Sequence, residues 1–280
     1  MKRILITGPS SYIGKNLEKW LENYADKYES DCISLRENSW MDKDFSIYDV
    51  VIHTVGIAHR KETSENANLY YKVNRDLAFE VAEKAKVEGV KQFIFLSSMS
   101  VYGITNGVIT KNSPTKPNTH YGKSKLQAEE SLKSLQNENF RVSIIRPPMV
   151  YGKGCKGNYP KLAKLATKIP MFPNVKNKRS MIFIDNLCEF IKLLIDDCNS
   201  GLFFPQNEEY INTSEMVKLI GEFNGKNVRL IMSFNSIYIF RKFNMLNKVF
   251  GNLVYDKQMS EYKKNYQVSD FYKSIAKTEK

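Results

Sequence analysis

Ser98 is followed, further along the chain, by the run Tyr121-Gly-Lys-Ser-Lys125. A tyrosine and a lysine four residues apart on a helix project from one face, one turn apart. An ammonium beside a phenol favours the phenolate and brings a tyrosine pKa down from about 10. A tyrosine tuned in this way can give or take a proton at a hydroxyl or carbonyl carbon. The same spacing also suits an ordinary surface helix, so the rest of the chain must decide.

A second group lies at the start of the chain. Lys2-Arg-Ile-Leu-Ile-Thr7 is a short apolar run of the kind that forms a buried parallel strand. It enters Gly8-Pro-Ser-Ser11-Tyr12-Ile13-Gly14, and a helix follows with Ile13, Leu17, Trp20 and Leu21 on one stripe. Strand, tight glycine turn and helix N-terminus let backbone N–H groups approach a pyrophosphate. A strict glycine pattern would have glycine at position 11, where this chain has serine.

These groups need a scaffold of alternating strands and helices, and the patterning supplies one. Strands are expected near 2–7, 31–36, 49–55, 92–97 and 141–146, with an abbreviated one around Ser39–Met41. Helices are expected near 12–24, 66–88 and 120–136. This is the pattern of a parallel sheet with crossover helices. Beyond Gly152 the alternation loosens into helical patches near 158–168, 186–196, 213–223 and 234–250. The expected division is a dinucleotide-binding domain over 1–152 and a mainly substrate-binding region over 153–280.

At 280 residues and 42% hydrophobic content the chain can bury a sizeable core. No apolar run approaches the length of a membrane span. The first strand is expected from residue 2, leaving no room for a signal peptide, so a cytoplasmic location is expected. Cys32, Cys155, Cys188 and Cys198 lack Cys-x-x-Cys spacing and read as unpaired thiols. His53, His59 and His120 are too scattered to suggest a metal site. The net charge of +12 is spread along the chain without a nucleic-acid motif. An anionic substrate and cofactor are a sufficient cause.

Further motifs extend the picture. Ile94-Phe-Leu-Ser-Ser98-Met99-Ser100-Val-Tyr102-Gly103, Asn74 in Lys-Val-Asn-Arg-Asp, Ile144-Ile-Arg146-Pro147-Pro148-Met149-Val-Tyr151-Gly152 and Arg179-Ser-Met-Ile-Phe-Ile184-Asp185 occur in that spatially meaningful order with the two groups above. Over nearly its whole length the chain resembles the extended short-chain dehydrogenase/reductase, or nucleotide-sugar epimerase/dehydratase, family. The resemblance implies a Rossmann-like doubly wound α/β fold with a smaller C-terminal substrate-binding region. It implies Ser98, Tyr121 and Lys125 as the catalytic three. Gly8, Ser11, Tyr12, Ile13 and Gly14 would surround the cofactor pyrophosphate, with Val55, Gly56, Asn74, Pro147 and Pro148 along its inner half and nicotinamide pocket. Ser98, Met99, Ser100, Tyr121, Met149, Asn158 and Arg179 would meet substrate.

Three features refine that expectation. The second strand is expected to end at Cys32-Ile-Ser34-Leu-Arg36, with arginine where NAD-preferring relatives carry an acid for the ribose hydroxyls. A guanidinium can bind a 2′-phosphate, so Arg36, helped by Ser34, favours NADP(H), with NAD(H) and a merely solvated arginine as alternatives. Met149 stands where many relatives have an asparagine for the substrate diphosphate, a bond that methionine cannot donate. Met99 replaces the acid that dehydratases carry after the serine, which argues against 4,6-dehydration. The implied reaction is NADPH-dependent 4-keto reduction of a UDP-4-keto-6-deoxy-N-acetylhexosamine for surface polysaccharide. The alternatives are NAD-dependent 4-epimerisation of a nucleotide- or polyprenyl-diphosphate-sugar and, remotely, a non-catalytic NADP-binding sensor or scaffold. A homodimer through the helices near 66–88 and 120–136 is the family habit. The aromatic and basic segment Ile231–Phe250 suits a lid or dimer contact, with peripheral membrane contact as the other reading.

Overall fold

Apolar β-branched residues at the start of the chain form strand β1 (Lys2–Thr7), whose Ile4, Leu5 and Ile6 are wholly buried. In a computed structural model, which describes residues 1–58, 60–231 and 250–280, β1 lies inside a six-stranded parallel sheet. The other strands are β2 (Tyr28–Ile33), β3 (Val50–His53), β4 (Gln92–Leu96), β6 (Arg141–Ile145) and β10 (Gly201–Phe203), and the order is β10-β6-β4-β3-β1-β2. Parallel neighbours need crossovers. These run through α1 (Tyr12–Glu22), α2 (Ala67–Tyr71) with α3 (Leu77–Val87), α4 (His120–Leu135) and α6 (Ile184–Asp197). The doubly wound Rossmann-like architecture is therefore present.

One side of the sheet is covered by α3 and α4, which pack Ala78, Val81, Ala82, Ala128 and Leu132 on Leu5, Val51, Phe93, Phe95 and Val142. Full burial of side chains such as the two phenylalanines stabilises by about 1.5–3 kcal/mol each. The alternate strand residues Ile4, Ile6, Ile52 and Ile94 are equally buried, as strands with two covered faces require. Helices α1 and α6 meet each other, with Trp20 Nε1 donating to Glu189 Oε2 at 3.0 Å.

Three local departures from the sequence expectation have physical causes. Strand β2 begins and ends about three residues earlier than expected, because it pairs residue for residue with β1 from Lys2↔Tyr28 to Thr7↔Ile33 and β1 then stops. Its polar run Glu29-Ser-Asp31 at the sheet edge conceals it from hydrophobic patterning. The stretch Asn38–Met41, expected as a short strand, is a 3₁₀ turn that buries Trp40. The helix expected over 66–88 is interrupted by a π turn, Lys72–Asp76, with buried Asn74 inside it.

The chain divides into two compact units that interleave in sequence. The first comprises 1–103, 114–147 and 187–205, so β10 and most of α6 return to the sheet from beyond Gly152. The second comprises 104–113, 148–186 and 206–280. It holds three parallel two-stranded ribbons: β5 (Gly107–Ile109) with β12 (Leu253–Tyr255), β7 (Met149–Tyr151) with β9 (Met181–Phe183), and β8 (Met171–Pro173) with β11 (Arg229–Ile231). Among the described residues its helices are α5 (Asn158–Ala166), α7 (Thr213–Phe223) and α8 (Phe271–Glu279), besides the first three residues of α6. Among the described residues no helix is long and apolar enough to cross a membrane. The helix expected over 234–250, and most of the aromatic and basic segment it belongs to, lies outside the described residues.

Candidate active site

The first unit brings the chemistry-bearing residues together at the carboxyl ends of β1, β3 and β4. Gly8 leaves β1 with φ +87°, and a Cβ there would stand 2.9 Å from Val55 Cγ2. Ser11 is the N-cap of α1, its Oγ accepting from Gly14 N at 2.8 Å. Thr54 Oγ1 donates to Thr7 O at 2.6 Å, so the 2.6 Å contact between Ser11 Oγ and Thr54 Oγ1 carries the serine proton. A Cβ on Gly14 would meet Ser11 Oγ at 2.7 Å and Gly8 O at 3.0 Å. Serine thus takes the place of the second glycine by directing its hydroxyl inward, where it braces the loop against the exit of β3. Tyr12 and Ile13 follow as the first residues of α1.

The exit of β3 continues as Thr54, Val55 and Gly56. A Cβ on Gly56 would lie 3.2 Å from both Asn74 Oδ1 and Lys125 Nζ. Asn74, expected against the cofactor, is buried and engaged within the protein. Its Oδ1 accepts from Ile57 N at 2.7 Å, and its Nδ2 donates to Ile57 O at 3.2 Å and Ser124 Oγ at 3.0 Å. It therefore holds the Gly56–Ile57 segment in place. Gly8, Gly14 and Gly56 are each required by these close approaches, which let the loops after β1 and β3 pack tightly beside the start of α1. This is the strand–turn–helix arrangement whose backbone N–H groups suit a dinucleotide pyrophosphate.

Ser98 opens a 3₁₀ turn, Met99–Tyr102, just after β4. Its Oγ accepts from Ser100 N at 3.1 Å, and Met99 N donates to Pro147 O at 3.0 Å. The turn ends at Gly103, φ +69°, where a Cβ would fall 1.9 Å from Lys116 O. Tyr121 stands in the first turn of α4, which Thr119 caps by accepting from Gly122 N at 3.0 Å. Burial raises the Tyr121 pKa above its ordinary value, and the Ser98 hydroxyl works in the opposite direction.

Lys125 lies one turn further along α4. Its Nζ donates to Leu96 O at 2.7 Å and stands 4.4 Å above the Phe95 ring. Burial lowers its pKa to about 7, opposed by the negative charge of Glu129. The group that favours the Tyr121 phenolate here is Ser98. The i, i+4 spacing placed both residues on one face, but that face is buried, and the ammonium turns to a sheet carbonyl instead of the phenol.

Sequence reasoning missed the group behind this site. Arg146, directly before Pro147, donates to buried Glu129 through Nε at 2.9 Å and Nη2 at 2.6 Å, and to Tyr102 Oη at 2.8 Å. Ser97 Oγ donates to Glu129 Oε1 as well. The pair ties α4, one turn beyond Lys125, to the turn that carries Ser98. The available signal was the second i, i+4 step, Lys125 to Glu129, followed by an arginine at a strand end. Thr54 and Glu62 were also missed, because each acts through the backbone of a distant segment.

His53 is a structural residue. It lies stacked near Phe93 and Phe95, with Nδ1 3.2 Å from Thr7 Oγ1. Burial, with Lys125 nearby, pulls its pKa down to about 3, so it stays neutral. Among the described residues no cluster of His, Cys, Asp or Glu could hold a metal ion.

Ser34 and Arg36 lie beyond the end of β2 and are exposed, with Arg36 N donating to Ser34 Oγ at 3.4 Å. The expected strand end at Arg36 is thus corrected to Ile33, which leaves the arginine on the loop that follows. The strand's own acid, Asp31, accepts from Tyr48 Oη. Pro148, Met149, Asn158 and Arg179 belong to the second unit. There Met149 starts β7, Asn158 starts α5, and half-buried Arg179 donates to Gly251 O at 3.1 Å. Burial lowers the Arg179 pKa.

Comparison with known proteins places this arrangement. The model of the NAD dependent epimerase/dehydratase family matches residues 4–204. A UDP-glucose 4-epimerase of Vibrio cholerae is 31% identical over 243 residues, covering 78% of this chain and 74% of that protein. The N-acetyl-alpha-D-glucosaminyl-diphospho-ditrans,octacis-undecaprenol 4-epimerase of Escherichia coli O157:H7 is 32% identical over 204 residues, covering 71% of this chain and 61% of its own length. Among solved structures, a dTDP-4-dehydrorhamnose reductase from Clostridium acetobutylicum superposes with a TM-score of 0.75 at 20% identity, covering 99% of this chain and 98% of the other. At that identity the likeness speaks for the fold.

Proposed function

Because this chain belongs to the NAD-dependent epimerase/dehydratase family, we propose that it is an oxidoreductase acting at C4 of a diphosphate-linked sugar, and that its net reaction is reduction of a 4-keto group at the expense of NADPH. The observation that carries the shared chemistry is the placement of Ser98 at the turn after β4, where its hydroxyl favours the Tyr121 phenolate, with Lys125 one turn beyond Tyr121 on α4. Tyr121 passes its proton to the sugar oxygen as negative charge develops there, the task of a positioned general acid. Ser98 aims a second hydrogen bond at the same oxygen. Lys125, held by Leu96 O beside Gly56, is placed to meet ribose hydroxyls. The nicotinamide, when bound, supplies the hydride. Arg179 offers a desolvated guanidinium suited to a diphosphate.

Arg36 favours the reductive reading. It is an exposed cation on the loop just past β2, available to a 2′-phosphate, and the strand's Asp31 is engaged by Tyr48. The proposed substrate is a UDP-4-keto-6-deoxy-N-acetylhexosamine. A second reading, redox-neutral 4-epimerisation with retained NAD, is favoured by two relatives above 30% identity that are both 4-epimerases, one of a lipid-linked sugar.

Nicotinamide absorbance distinguishes the two. The expected result is stoichiometric NADPH consumption with the 4-keto sugar. Arg36→Asp is expected to shift preference toward NADH by at least about tenfold, the scale of one charge-assisted hydrogen bond of about 1.5–3 kcal/mol. Interconversion of UDP-N-acetylglucosamine and its 4-epimer without net NADPH loss would establish the epimerase instead.

A further inference from the structure

Glu62 lies outside the Ser98–Tyr121–Lys125 group, yet its carboxylate holds the start of the helix that carries Tyr121. Oε2 accepts from His120 N at 2.9 Å and Oε1 from Tyr121 N at 3.0 Å. Thr119 Oγ1 takes the next donor, Gly122 N. These are the first N–H groups of α4, which have no partner inside the helix. A carboxylate there also faces the positive end of the helix dipole. Thr119 alone would serve as an ordinary cap. Two further donors gathered by one carboxylate from 58 residues away need a different account.

The segment that carries Glu62 is anchored in turn. It leaves β3 through Gly56 and Ile57, and Asn74 bonds both the N–H and the C=O of Ile57. Tyr70 Oη donates to Arg60 O at 3.2 Å. Just past Glu62, Thr63 N donates to Asn66 Oδ1 at 3.0 Å, and Asn66 Nδ2 donates to Lys61 O at 3.0 Å. Glu62 thus stands on a turn closed by its own hydrogen bonds. The same peptide N–H that it grips belongs to the residue whose phenol Ser98 acts on.

We propose that Glu62 is a positioning residue: by clamping the His120 and Tyr121 N–H groups it sets the Tyr121 phenol against Ser98 and makes the β3–α2 segment and the start of α4 one body. The proposal rests on the reading of Tyr121 as proton donor. A residue that merely stabilised the helix end would lower the melting temperature and leave the rate constants alone. A positioning residue changes kcat while leaving cofactor affinity unchanged, since small displacements of a reacting group are costly.

The test uses the whole protein in three variants, Glu62→Ala, Glu62→Gln and Tyr121→Phe. Glu62→Ala is expected to lower kcat about tenfold or more, with the Kd for NADPH within about twofold of the unmutated protein. Glu62→Gln keeps one acceptor oxygen and is expected to recover most of the lost kcat. Independently of any substrate, amide hydrogen exchange at His120 and Tyr121 is expected to accelerate in Glu62→Ala and to stay slow in Tyr121→Phe. Unchanged exchange at both amides in Glu62→Ala would overturn the clamp, and so would an undiminished kcat in that variant. Full turnover in Tyr121→Phe would remove the underlying reading of the tyrosine, and the exchange data would tell that failure from failure of the clamp.

Discussion

The two compact units bury polarity by opposite means. In the first, the carboxylate of Glu129 meets the guanidinium of Arg146 in a setting where neither side chain is more than 5% exposed. In the second, neutral amides and hydroxyls do the equivalent work. Asn186 accepts from Val268 N and Ser269 N and donates to Asn207 Oδ1 at 3.1 Å. Asn207 donates to Tyr151 Oη at 2.9 Å, and Tyr151 Oη lies 2.6 Å from Ser274 Oγ. Gln206 reaches Ser260 Oγ, and Ser180 Oγ reaches Gln206.

The contrast has a physical basis. The first unit owns a six-stranded sheet with both faces covered, so its core tolerates an ion pair and uses it beside Lys125 and Ser98. Short two-stranded ribbons are marginal by themselves. The second unit therefore stitches its C-terminal segment to β7 and β9 through side-chain amides. In the first unit a buried charge pair stands beside Lys125 and Ser98, and in the second neutral polarity holds the C-terminal segment.

Three substitutions test that contrast, in descending order of effect. Glu129→Ala strands a buried guanidinium and is expected to cost about 3–5 kcal/mol in urea unfolding. The double variant Glu129→Leu with Arg146→Met is expected to recover most of that loss, because apolar replacement of a whole buried pair is often neutral. A single-variant loss below about 1 kcal/mol would mean that the pair behaves like a surface bridge.

Asn186→Ala removes a neutral group, leaves Ser269 N without its acceptor and leaves Val268 N with Tyr266 O at 3.1 Å alone. It is expected to cost about 1–3 kcal/mol by the same measurement, less than Glu129→Ala. The reverse order would erase the distinction between the units. The smallest effect is expected for Ser11→Gly, which keeps a residue acceptable at an N-cap. Thermal unfolding should show a loss of only a few tenths of a kcal/mol, against about 1 kcal/mol for Ser11→Ala. Equal losses in the two variants would show that the hydroxyl bond to Thr54, and not the cap, is what matters.

Much of the first unit was legible because its signals are local. The run from Lys2 to Thr7, the stripe of α1 and the spacing of Tyr121 and Lys125 each lie within one element, where hydrophobic period and side-chain direction follow from geometry. The edge strand β2 was misplaced because its residues are polar and its bounds come from its partner. The π turn around Asn74 was invisible, since its helical sequence carries no mark of one extra residue; the buried amide that bonds Ile57 and Ser124 occupies it.

By itself the sequence determined the parallel sheet, the glycine turn before α1, and the positions of a serine just after β4 and of a tyrosine and a lysine one turn apart on α4. These depend on residue types at short range. Only the tertiary structure decided that Lys125 turns to Leu96 O, that Glu129 and Arg146 pair behind it, that Glu62 grips the start of α4, and that 187–205 return to the first unit. Each of those depends on which distant backbone group or charge a buried side chain finds within about 3 Å, the reach of a hydrogen bond. Periodicity along the chain carries no record of such distances.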